Sequence, residues 1–415
     1  MSSEKEWKKK FGIVEFQPPF LVVKIKRGLK LLDRLGSYTL TRWLGWIFTL
    51  LMPIIAIVGL YIVIRSVNLI VSNALAREYI RSVTPLANLL IPGLNPYLPL
   101  VYGWIALIIG IVIHEAAHGV LARSLNFPVK STGLLFFLFV PIGAFVEVDD
   151  KEIRAARARD AGRVLAAGPG SNMVLALVSL LILLMLLGSA APVVDGIGVT
   201  AVTEGYPAHM AGIQPGDVLT SINGVSTTNM VDAYNILSTL KPGDRVVLEF
   251  VRLGNGAVIG SYTVEVSAAA NPYNSSRCFL GLNGVELRGV LNNYRDAWRF
   301  NPFLYLVWPT FSTANQQLIP FSQIMSPFYF SPIGSLYPVL TNLFFWIWFV
   351  NFNISIFNAL PIYPLDGGQT FRALLQGSLK NIISETALRW LMLGVTLAVL
   401  SLVLSMFFFP YLLPQ

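Results

Sequence analysis

The stretch IIGIVIHEAAHGVL, residues 108–121, places two histidines and a glutamate inside a run of apolar residues. His114 and His118 are two of only three histidines in the 415-residue chain. Because residues four apart share one face of an α-helix, both imidazoles could bind one metal ion, with Glu115 beside them. Ionisable groups are costly in such an apolar segment and usually mark a functional site. The stretch therefore predicts a metal centre built on an apolar helix.

The composition around this stretch is that of an integral membrane protein. Apolar residues make up 54% of the chain and charged residues 13%, which leaves too little polar surface for a soluble protein. A length of 415 residues has room for a bundle of membrane helices and one modest soluble domain. The single cysteine, Cys278, excludes an internal disulfide framework and a cage of thiolate ligands.

Five apolar runs are long enough to cross a membrane as helices. They cover residues 44–66, 99–122, 164–187, 336–360 and 388–409. Lys and Arg are concentrated before the first run and between the second and the third, and short basic loops stay in the cytoplasm. This pattern predicts a multi-pass protein of the cell membrane with a cytoplasmic N-terminus and an exterior segment at 188–335. The net charge of +8 then reflects topology and anionic lipid, so no nucleic-acid partner is expected.

The spacing of the two histidines is the HExxH arrangement of zinc hydrolases, in which the glutamate takes a proton from a water that the metal acidifies. A catalytic zinc ion has three protein ligands and an open position. The remaining histidine, His209, falls in the exterior segment, so a carboxylate is the expected third ligand. We favour Asp366 in FNALPIYPLDGGQ, where prolines and glycines break the fourth apolar helix at its cytoplasmic end. Three acidic residues nearer to the HExxH helix are the alternatives: Glu147, Asp149 and Asp150.

Taken together, these motifs resemble those of the site-2 protease family, which are membrane-embedded zinc metalloproteases. HEAAH in one predicted span and NALPIYPLDGG in a later one are similar to the paired motifs of that family, and AAGPGSN at the start of the third span is similar to another. The resemblance covers most of residues 99–375. It implies a Zn²⁺ cofactor held by His114, His118 and Asp366, with Glu115 as the general base.

Two asparagines in these motifs have an implied role in stabilising the transition state. Hydrolysis of a peptide bond passes through a tetrahedral oxyanion, whose charge a zinc ion and an amide donor can stabilise. The resemblance implies that Asn358, and also Asn172, contact the substrate backbone or this developing oxyanion. The alternative for both residues is a structural role, in which the amide caps or bridges helices inside the bundle.

The stretch STGLLFFLFVPIGAFVEVDD, residues 131–150, is too short to cross a membrane twice as helices. PIG at 141–143 favours a turn between two apolar strands, so residues 133–148 are predicted to form a re-entrant β-hairpin. Strand edges cannot face lipid, so this hairpin should be buried in protein or line a wet cavity. Its edge could hold an unwound substrate in an extended conformation, and a plain packing element is the alternative.

Residues 188–292 differ in character from the apolar runs, since they are glycine-rich, mixed in charge and alternate in VVLEFVR and YTVEV. The stretch GYPAHMAGIQPGDVLTSINGV resembles a PDZ domain in the permuted form of bacterial-type proteases. An extracytoplasmic α+β domain is therefore predicted. The resemblance implies a peptide-binding loop ahead of its first strand, at Gly196, Ile197, Gly198 and Val199. A size filter and a purely structural domain are the alternatives.

The remaining segments complete the predicted organisation. Residues 1–43 form a basic cytoplasmic segment, residues 44–187 and 336–415 form the two parts of the membrane bundle, and residues 293–335 form an interfacial segment rich in aromatic residues. A gate that controls access to the metal is the alternative for this last segment. The predicted fold is a polytopic α-helical membrane protein with about five to six spanning helices, a re-entrant β-hairpin and an extracytoplasmic PDZ-like α+β domain.

The predicted function is regulated intramembrane proteolysis, in which Zn²⁺-dependent hydrolysis cuts peptide bonds within transmembrane segments near the cytoplasmic leaflet. The expected partners are transmembrane protein substrates and the lipid bilayer, and the oligomeric state is not predicted. One alternative is a membrane scaffold or sensor that binds single-span partners through its PDZ-like domain and holds a structural zinc ion. A metal transporter ranks last, because it would need polar residues across several spans. Glu115 beside an open ligand pattern favours the enzyme.

Overall fold

A computed structural model describes most of the chain: residues 14–17, 20–25, 29–82, 86, 89–137, 140–254, 256–300, 319–379 and 382–414. The chain divides into two compact units. The first unit combines Met1–Ser179 with Trp346–Gln415, and the second is Leu180–Phe345. The predicted interfacial segment at 293–335 lies partly outside the described residues, at 301–318.

The α-helices within the described residues are α1 (Leu29–Gly36), α2 (Thr39–Ser72), α3 (Ala74–Ser82), α4 (Leu100–Ser124), α5 (Asp150–Ala155), α6 (Ala158–Leu165), α7 (Ala167–Ser189), α8 (Pro207–Met210), α9 (Met230–Ser238), α10 (Leu287–Phe300), α11 (Leu336–Ala359), α12 (Asp366–Leu379) and α13 (Glu385–Leu412). The strands are β1 (Val14–Gln17), β2 (Phe20–Ile25), β3 (Val129–Phe137), β4 (Val140–Val148), β5 (Ala191–Pro192), β6 (Ile197–Val202), β7 (Asp217–Ile222), β8 (Val225–Ser226), β9 (Arg245–Gly254), β10 (Ala257–Ser267), β11 (Ala269–Asn271), β12 (Asn274–Phe279), β13 (Leu282–Glu286) and β14 (Tyr329–Phe330). A short 3₁₀ helix, Ser326–Phe328, precedes β14.

Five helices of the described chain are long and apolar enough to cross a membrane, namely α2, α4, α7, α11 and α13. Each overlaps one of the five predicted apolar runs, so the prediction of five helices that could span a membrane is confirmed. In the first unit, buried residues of α2, α4 and α11 form one apolar core together with Ala166 and the start of α7. The alanines in this core let helix backbones approach closely, as in other membrane bundles.

The predicted hairpin is present as an antiparallel pair of strands, β3 and β4. The turn was predicted at residues 141–143, and this is wrong, because β4 already begins at Val140. Pro141 lies instead where the register of the two strands shifts, and a proline is tolerated at such an irregularity because it has no N–H to pair. The location of the hairpin inside the membrane stays a prediction.

The N-terminal segment contains two strands that we did not predict from its basic composition. β1 pairs with β2, and β2 pairs with β3 from Phe20↔Phe137 to Ile25↔Thr132, which gives the order β1-β2-β3-β4. Alternating apolar residues in VEFQ and the apolar run FLVVKI account for these strands. Strand β3 is therefore paired on both sides, and among the described residues β4 is at an edge of the sheet.

Residues 197–286 of the second unit, here called the sheet domain, contain a sheet of order β10-β9-β7-β6-β13, with β8 paired to β7. Apolar residues of this sheet pack with Ala208 of α8 and Ala233 of α9 in one core. The α+β character is as predicted, and the PDZ assignment itself stays a prediction. Among the described residues β13 is an edge strand of this sheet.

The predicted peptide-binding loop at Gly196, Ile197, Gly198 and Val199 is wrong as a loop. Strand β6 begins at Ile197, and Gly198 is opposite Val218 of β7 on one side and Val285 of β13 on the other. The side chains of Ile197 and Val199 are buried in the domain core. Because the strand is paired on both sides here, no peptide can add to it at these residues.

Candidate metal centre

Two helices of the first unit bring the predicted metal ligands together. His114, Glu115 and His118 lie in the second half of α4, which is continuous from Leu100 to Ser124. Asp366 is the first residue of α12 and follows the loop after α11. The side chains of the two histidines and of Asp366 are almost completely withdrawn from solvent, with 10%, 12% and 14% of their surface exposed.

The three candidate ligand atoms form a nearly equilateral triangle. Nε2 of His114 is 3.2 Å from Nε2 of His118, and Oδ2 of Asp366 is 3.1 Å from the former and 3.3 Å from the latter. Tetrahedral zinc with ligand bonds of about 2.0–2.1 Å needs ligand atoms that are about 3.3 Å apart. Two imidazole nitrogens and one carboxylate oxygen are also the ligand set of a class of catalytic zinc sites. The residues present therefore fit a zinc ion.

The other nitrogen of each imidazole has an acceptor. His118 Nδ1 is 2.7 Å from the carbonyl oxygen of Val164, and His114 Nδ1 is 2.9 Å from Oδ1 of Asn172. A carbonyl oxygen can only accept, so the proton of His118 is on Nδ1 and the lone pair of Nε2 faces the ligand triangle. In its neutral form His118 is thus held in the tautomer that can bind a metal.

Gly168 of α7 lies against the triangle, and the lack of space there explains why residue 168 has no side chain. A Cβ atom at residue 168 would be 2.4 Å from Nε2 of His118 and 2.5 Å from Nε2 of His114. Both distances are shorter than any van der Waals contact, so even alanine would displace the two imidazoles. The glycine that begins the GPG sequence of the third apolar helix therefore leaves room for the imidazoles of the candidate metal centre.

Glu115 has a contact that the sequence did not predict. Its Oε2 atom accepts a hydrogen bond of 3.0 Å from the backbone N–H of Val146 in β4. Since β4 is the edge strand of its sheet within the described residues, the carboxylate next to the metal ligands is bonded to the strand at that edge. Sequence spacing alone could not reveal this pairing, because residues 115 and 146 are on different elements.

The two predicted substrate-binding asparagines have different environments. Asn358, near the end of α11, is half-buried and donates from Nδ2 to the carbonyl of Ile354, at 3.0 Å. Asn172 has no exposed surface and bonds to His114 and to a further asparagine, Asn351. The substrate role of both residues stays a prediction. Asn351 was missed in the sequence, although an amide inside an apolar span is itself a signal of a polar contact.

Two of the alternative third ligands, Glu147 and Asp149, are engaged elsewhere, and the side chain of the third, Asp150, lies outside the described residues. Glu147 accepts from the Ser131 hydroxyl at 2.5 Å, and Asp149 forms an ion pair of 2.7 Å with Lys130. His209 belongs to α8 of the sheet domain, where its Nδ1 accepts from the N–H of Gly205. Among the described residues, the group of acidic and histidine side chains close enough to share a metal ion is His114, His118 and Asp366.

Comparison with known proteins agrees with this geometry. The sequence profile of Peptidase family M50 matches residues 102–402, which is more than half of the chain and includes every residue of the candidate centre. An uncharacterized protein of Methanocaldococcus jannaschii is 27% identical over 357 residues, which cover 85% of this chain and 77% of that protein. The zinc metalloprotease RasP of Shouchella clausii is 28% identical over 225 residues, about half of each protein (51% and 49%). The chain therefore belongs to peptidase family M50, the site-2 protease family.

Proposed function

We propose that this protein is a zinc-dependent endopeptidase that hydrolyses peptide bonds within the transmembrane segments of membrane proteins. The observation that carries the proposal is the triangle of His114, His118 and Asp366, with Glu115 on the same helix. The description of RasP as a zinc metalloprotease supports zinc as the metal. Membership of family M50 and five apolar helices support a substrate within the bilayer.

In this proposal His114, His118 and Asp366 hold the zinc ion. Bound zinc supplies a Lewis acid that lowers the pKa of water and withdraws charge from a carbonyl oxygen. The Nδ1 contacts of both imidazoles orient the rings, so that the two Nε2 lone pairs are directed at the point where the ion would bind. Three protein ligands leave one position for the reaction, as in other catalytic zinc sites.

Glu115 is the general base of the proposed reaction. Its carboxylate takes the proton of the attacking water and returns it to the leaving amine, which is the usual role of a glutamate beside a hydrolytic metal centre. The bond from the Val146 N–H holds one carboxylate oxygen and leaves the other for this proton transfer. Asn358 donates an amide N–H to the developing oxyanion, since an amide group has two hydrogens and its bond to Ile354 uses one.

The edge of β4 presents the substrate to Glu115. A helix must unwind before its peptide bonds can be attacked, and a free strand edge can bind the unwound segment through backbone hydrogen bonds. The Val146 N–H is directed from β4 toward Glu115, so a segment paired with β4 near this residue would pass beside the base. Because the Val146 N–H is bonded to Glu115, the segment would pair with the residues of β4 on either side of Val146. The position of this edge beside the base is what favours substrate pairing over plain packing.

The sheet domain is extracytoplasmic in this proposal, because the basic residues favour a cytoplasmic N-terminus. An incoming peptide would add to the edge strand β13 rather than to β6. Helix α9 begins next to the end of that strand, since Met230 N–H donates to Glu286 Oε2 at 3.4 Å. A groove between β13 and α9 is the expected peptide-binding surface.

Two substitutions separate the base from a metal ligand. Glu115→Gln keeps the size of the side chain but removes the base, so zinc should stay bound while the rate falls by about 10²–10⁴-fold. Asp366→Ala removes a ligand, so zinc content and activity should fall together. The exposed Glu152→Gln is the matched control. The measurements are zinc analysis of purified protein and cleavage of a model transmembrane substrate in liposomes.

Two outcomes would contradict the proposal. Cleavage by Glu115→Gln at the parent rate would show that Glu115 is not the base. If the parent binds zinc and cuts no substrate with a destabilised helix, the scaffold or sensor with a structural zinc ion becomes the better explanation.

A further inference from the structure

Two asparagine side chains are completely buried near His114, in helices that are mostly apolar. Asn172 is in α7 and Asn351 is in α11, and neither has any exposed surface. An amide that is buried without hydrogen bonds is costly, because it loses its bonds to water and gains none in the protein. Such a pair in a membrane helix bundle therefore indicates a polar contact with a specific purpose.

We propose that Asn172 and Asn351 form an amide relay that fixes the orientation and the tautomer of His114, and that Asn351 does this without contacting any candidate ligand. This inference rests on the ligand role proposed above for His114. Both asparagines are positioning residues, and the relay assigns Asn172 a role other than binding the substrate.

The hydrogen bonds of the relay have one possible direction, which is set by a backbone carbonyl. Asn351 donates from Nδ2 to the carbonyl oxygen of Ile347 at 2.8 Å, and a carbonyl can only accept. Oδ1 of Asn351 therefore faces Asn172 and accepts from its Nδ2 at 2.7 Å. Oδ1 of Asn172 is then the end that faces Nδ1 of His114, at 2.9 Å. His114 must donate from Nδ1, so its Nε2 lone pair is available to the metal.

His114 needs such a relay and His118 does not. The acceptor of His118 is the backbone carbonyl of Val164, which has no hydrogen and can therefore never present a donor to the ring. The acceptor of His114 is a side-chain amide, and rotation of that amide by about 180° would present an NH₂ group to Nδ1. The proton of His114 would then move to Nε2, where it blocks the metal. Two acceptors, Asn351 Oδ1 and the carbonyl of Gly110 at 3.3 Å, hold the NH₂ group of Asn172 away from His114.

Helix α4, which carries His114, has a glycine where the side chain of Asn351 approaches it. Gly110 is one turn before His114 in α4, and a Cβ atom at this position would be 2.6 Å from Oδ1 of Asn351. Glycine therefore allows Asn351 to reach Asn172. Gly110→Ala would push Asn351 away without changing a polar group of the relay.

The test is the zinc dissociation constant of the full-length protein in detergent, measured by competition with a chelator of known affinity. Partners of metal-ligating histidines typically contribute about 10–100-fold to metal affinity. We expect Asn172→Ala to weaken zinc binding by about 10–100-fold and Asn351→Ala by about tenfold. Asn353→Ala is the matched control, because the amide of Asn353 donates to Phe349 of its own helix. It should leave the affinity within about twofold of the parent.

A double substitution separates the relay from a general loss of packing. In Asn172→Asp the side chain has two acceptor oxygens and cannot present a donor to His114, so Asn351 is no longer needed. Asn351→Ala should therefore cost about tenfold in zinc affinity in the parent and less than about twofold in the Asn172→Asp background. An equal loss in both backgrounds would show that Asn351 is only a packing residue and would overturn the relay.

Further variants keep the result interpretable if Asn351→Ala does not fold. Gly110→Ala should lower zinc affinity in the parent and leave it unchanged in the Asn172→Asp background. His114→Ala distinguishes failure of the relay from failure of the ligand assignment. If His114→Ala retains zinc, the proposed ligand set is wrong. If His114→Ala loses zinc while Asn172→Ala and Asn351→Ala bind like the parent, the ligand set stands and the relay is wrong.

Discussion

One aspartate in each unit of the molecule is withdrawn from water, and the two differ in what faces the carboxylate. Asp217 of the sheet domain accepts hydrogen bonds from Arg252 at 2.8 and 2.9 Å, from the Tyr262 hydroxyl at 2.6 Å and from the Gln214 N–H at 2.8 Å. Asp366 in the first unit faces two imidazole nitrogens, Nε2 of His114 and Nε2 of His118.

This difference separates a structural carboxylate from a candidate metal ligand. The charge of Asp217 is balanced by a guanidinium and by two further donors of the protein itself, one O–H and one N–H, as a buried charge requires. The nitrogens facing Asp366 have a proton acceptor on the far side of each ring, so with neutral imidazoles three electron-rich atoms meet at one point. A metal ion bound there would supply the positive charge that Arg252 supplies to Asp217. Burial of an acidic residue therefore predicts function only when its partners are known.

The largest effect we expect comes from the glycine that contacts the metal centre. Gly168→Ala would put a methyl group 2.4–2.5 Å from both Nε2 atoms, so we expect zinc affinity to fall by more than about 100-fold, beyond the effect of losing a histidine partner. Gly188→Ala on the same helix is the control, since a Cβ atom there meets no atom within 4 Å. Metal analysis of both purified variants is the measurement. Parent-level zinc in Gly168→Ala would mean that the triangle is not the metal site.

The structural aspartate should affect stability and not zinc. Asp217→Ala leaves Arg252 without its carboxylate, and breaking a buried ion pair typically costs about 3–5 kcal/mol. Because the Arg252 side chain is 37% exposed, water can solvate the charge, and we expect about 2–3 kcal/mol. Hydrogen exchange of sheet-domain peptides in the full-length protein measures the loss. Glu265→Ala, which removes an exposed ion pair with Arg245, is the control and should change exchange little.

The same carboxylate makes the sheet domain sensitive to acid. Burial would raise the pKa of Asp217, but hydrogen bonds from Arg252, Tyr262 and the Gln214 N–H outweigh it and lower the pKa below its usual value. A carboxyl with a lowered folded-state pKa stabilises fully above its unfolded value, about 3.9, and less as pH falls through the folded value. Exchange protection of the domain should therefore decrease below about pH 4, and less steeply in Asp217→Ala. Equal pH profiles would contradict this role.

The sequence alone predicted those features whose geometry is set by neighbouring residues in the chain. The spacing of His114 and His118 is fixed by the helix itself, and the apolar runs reveal the spans because a membrane helix has few alternatives. Asp366 was predicted as a ligand because prolines and glycines in its motif break the fourth apolar helix at that point. Its position within 3.1 Å of His114 also required the fold.

The features that the sequence did not predict depend on pairing between distant segments. β1 and β2 carry apolar runs typical of strands, but a partner as far along the chain as β3 cannot be inferred from one sequence. The loop predicted at residues 196–199 failed for the same reason, since strand order decides which edge is free and β13 occupies that side of β6. Asn351 was visible as a polar residue in a span, yet its role depends on Asn172 in another helix.

Removal of the sheet domain is the largest change to the chain, yet we expect it to have the smallest effect on zinc affinity. The chain enters and leaves this domain at one point, because the N–H of Leu287 donates to the carbonyl of Gly196 at 3.2 Å and Arg288 pairs with Asp195. A short Gly-Ser linker can therefore replace residues 197–286 without separating the flanking residues.

All the residues of the candidate metal centre belong to the other unit, so we expect the zinc dissociation constant to change by less than about twofold. Linking positions 196 and 269 instead is the control, because it leaves β13 without its partner β6 and should cause aggregation. Loss of zinc from the cleanly excised protein would show that the metal centre depends on the sheet domain, and the two aspartates could no longer be treated as belonging to independent units.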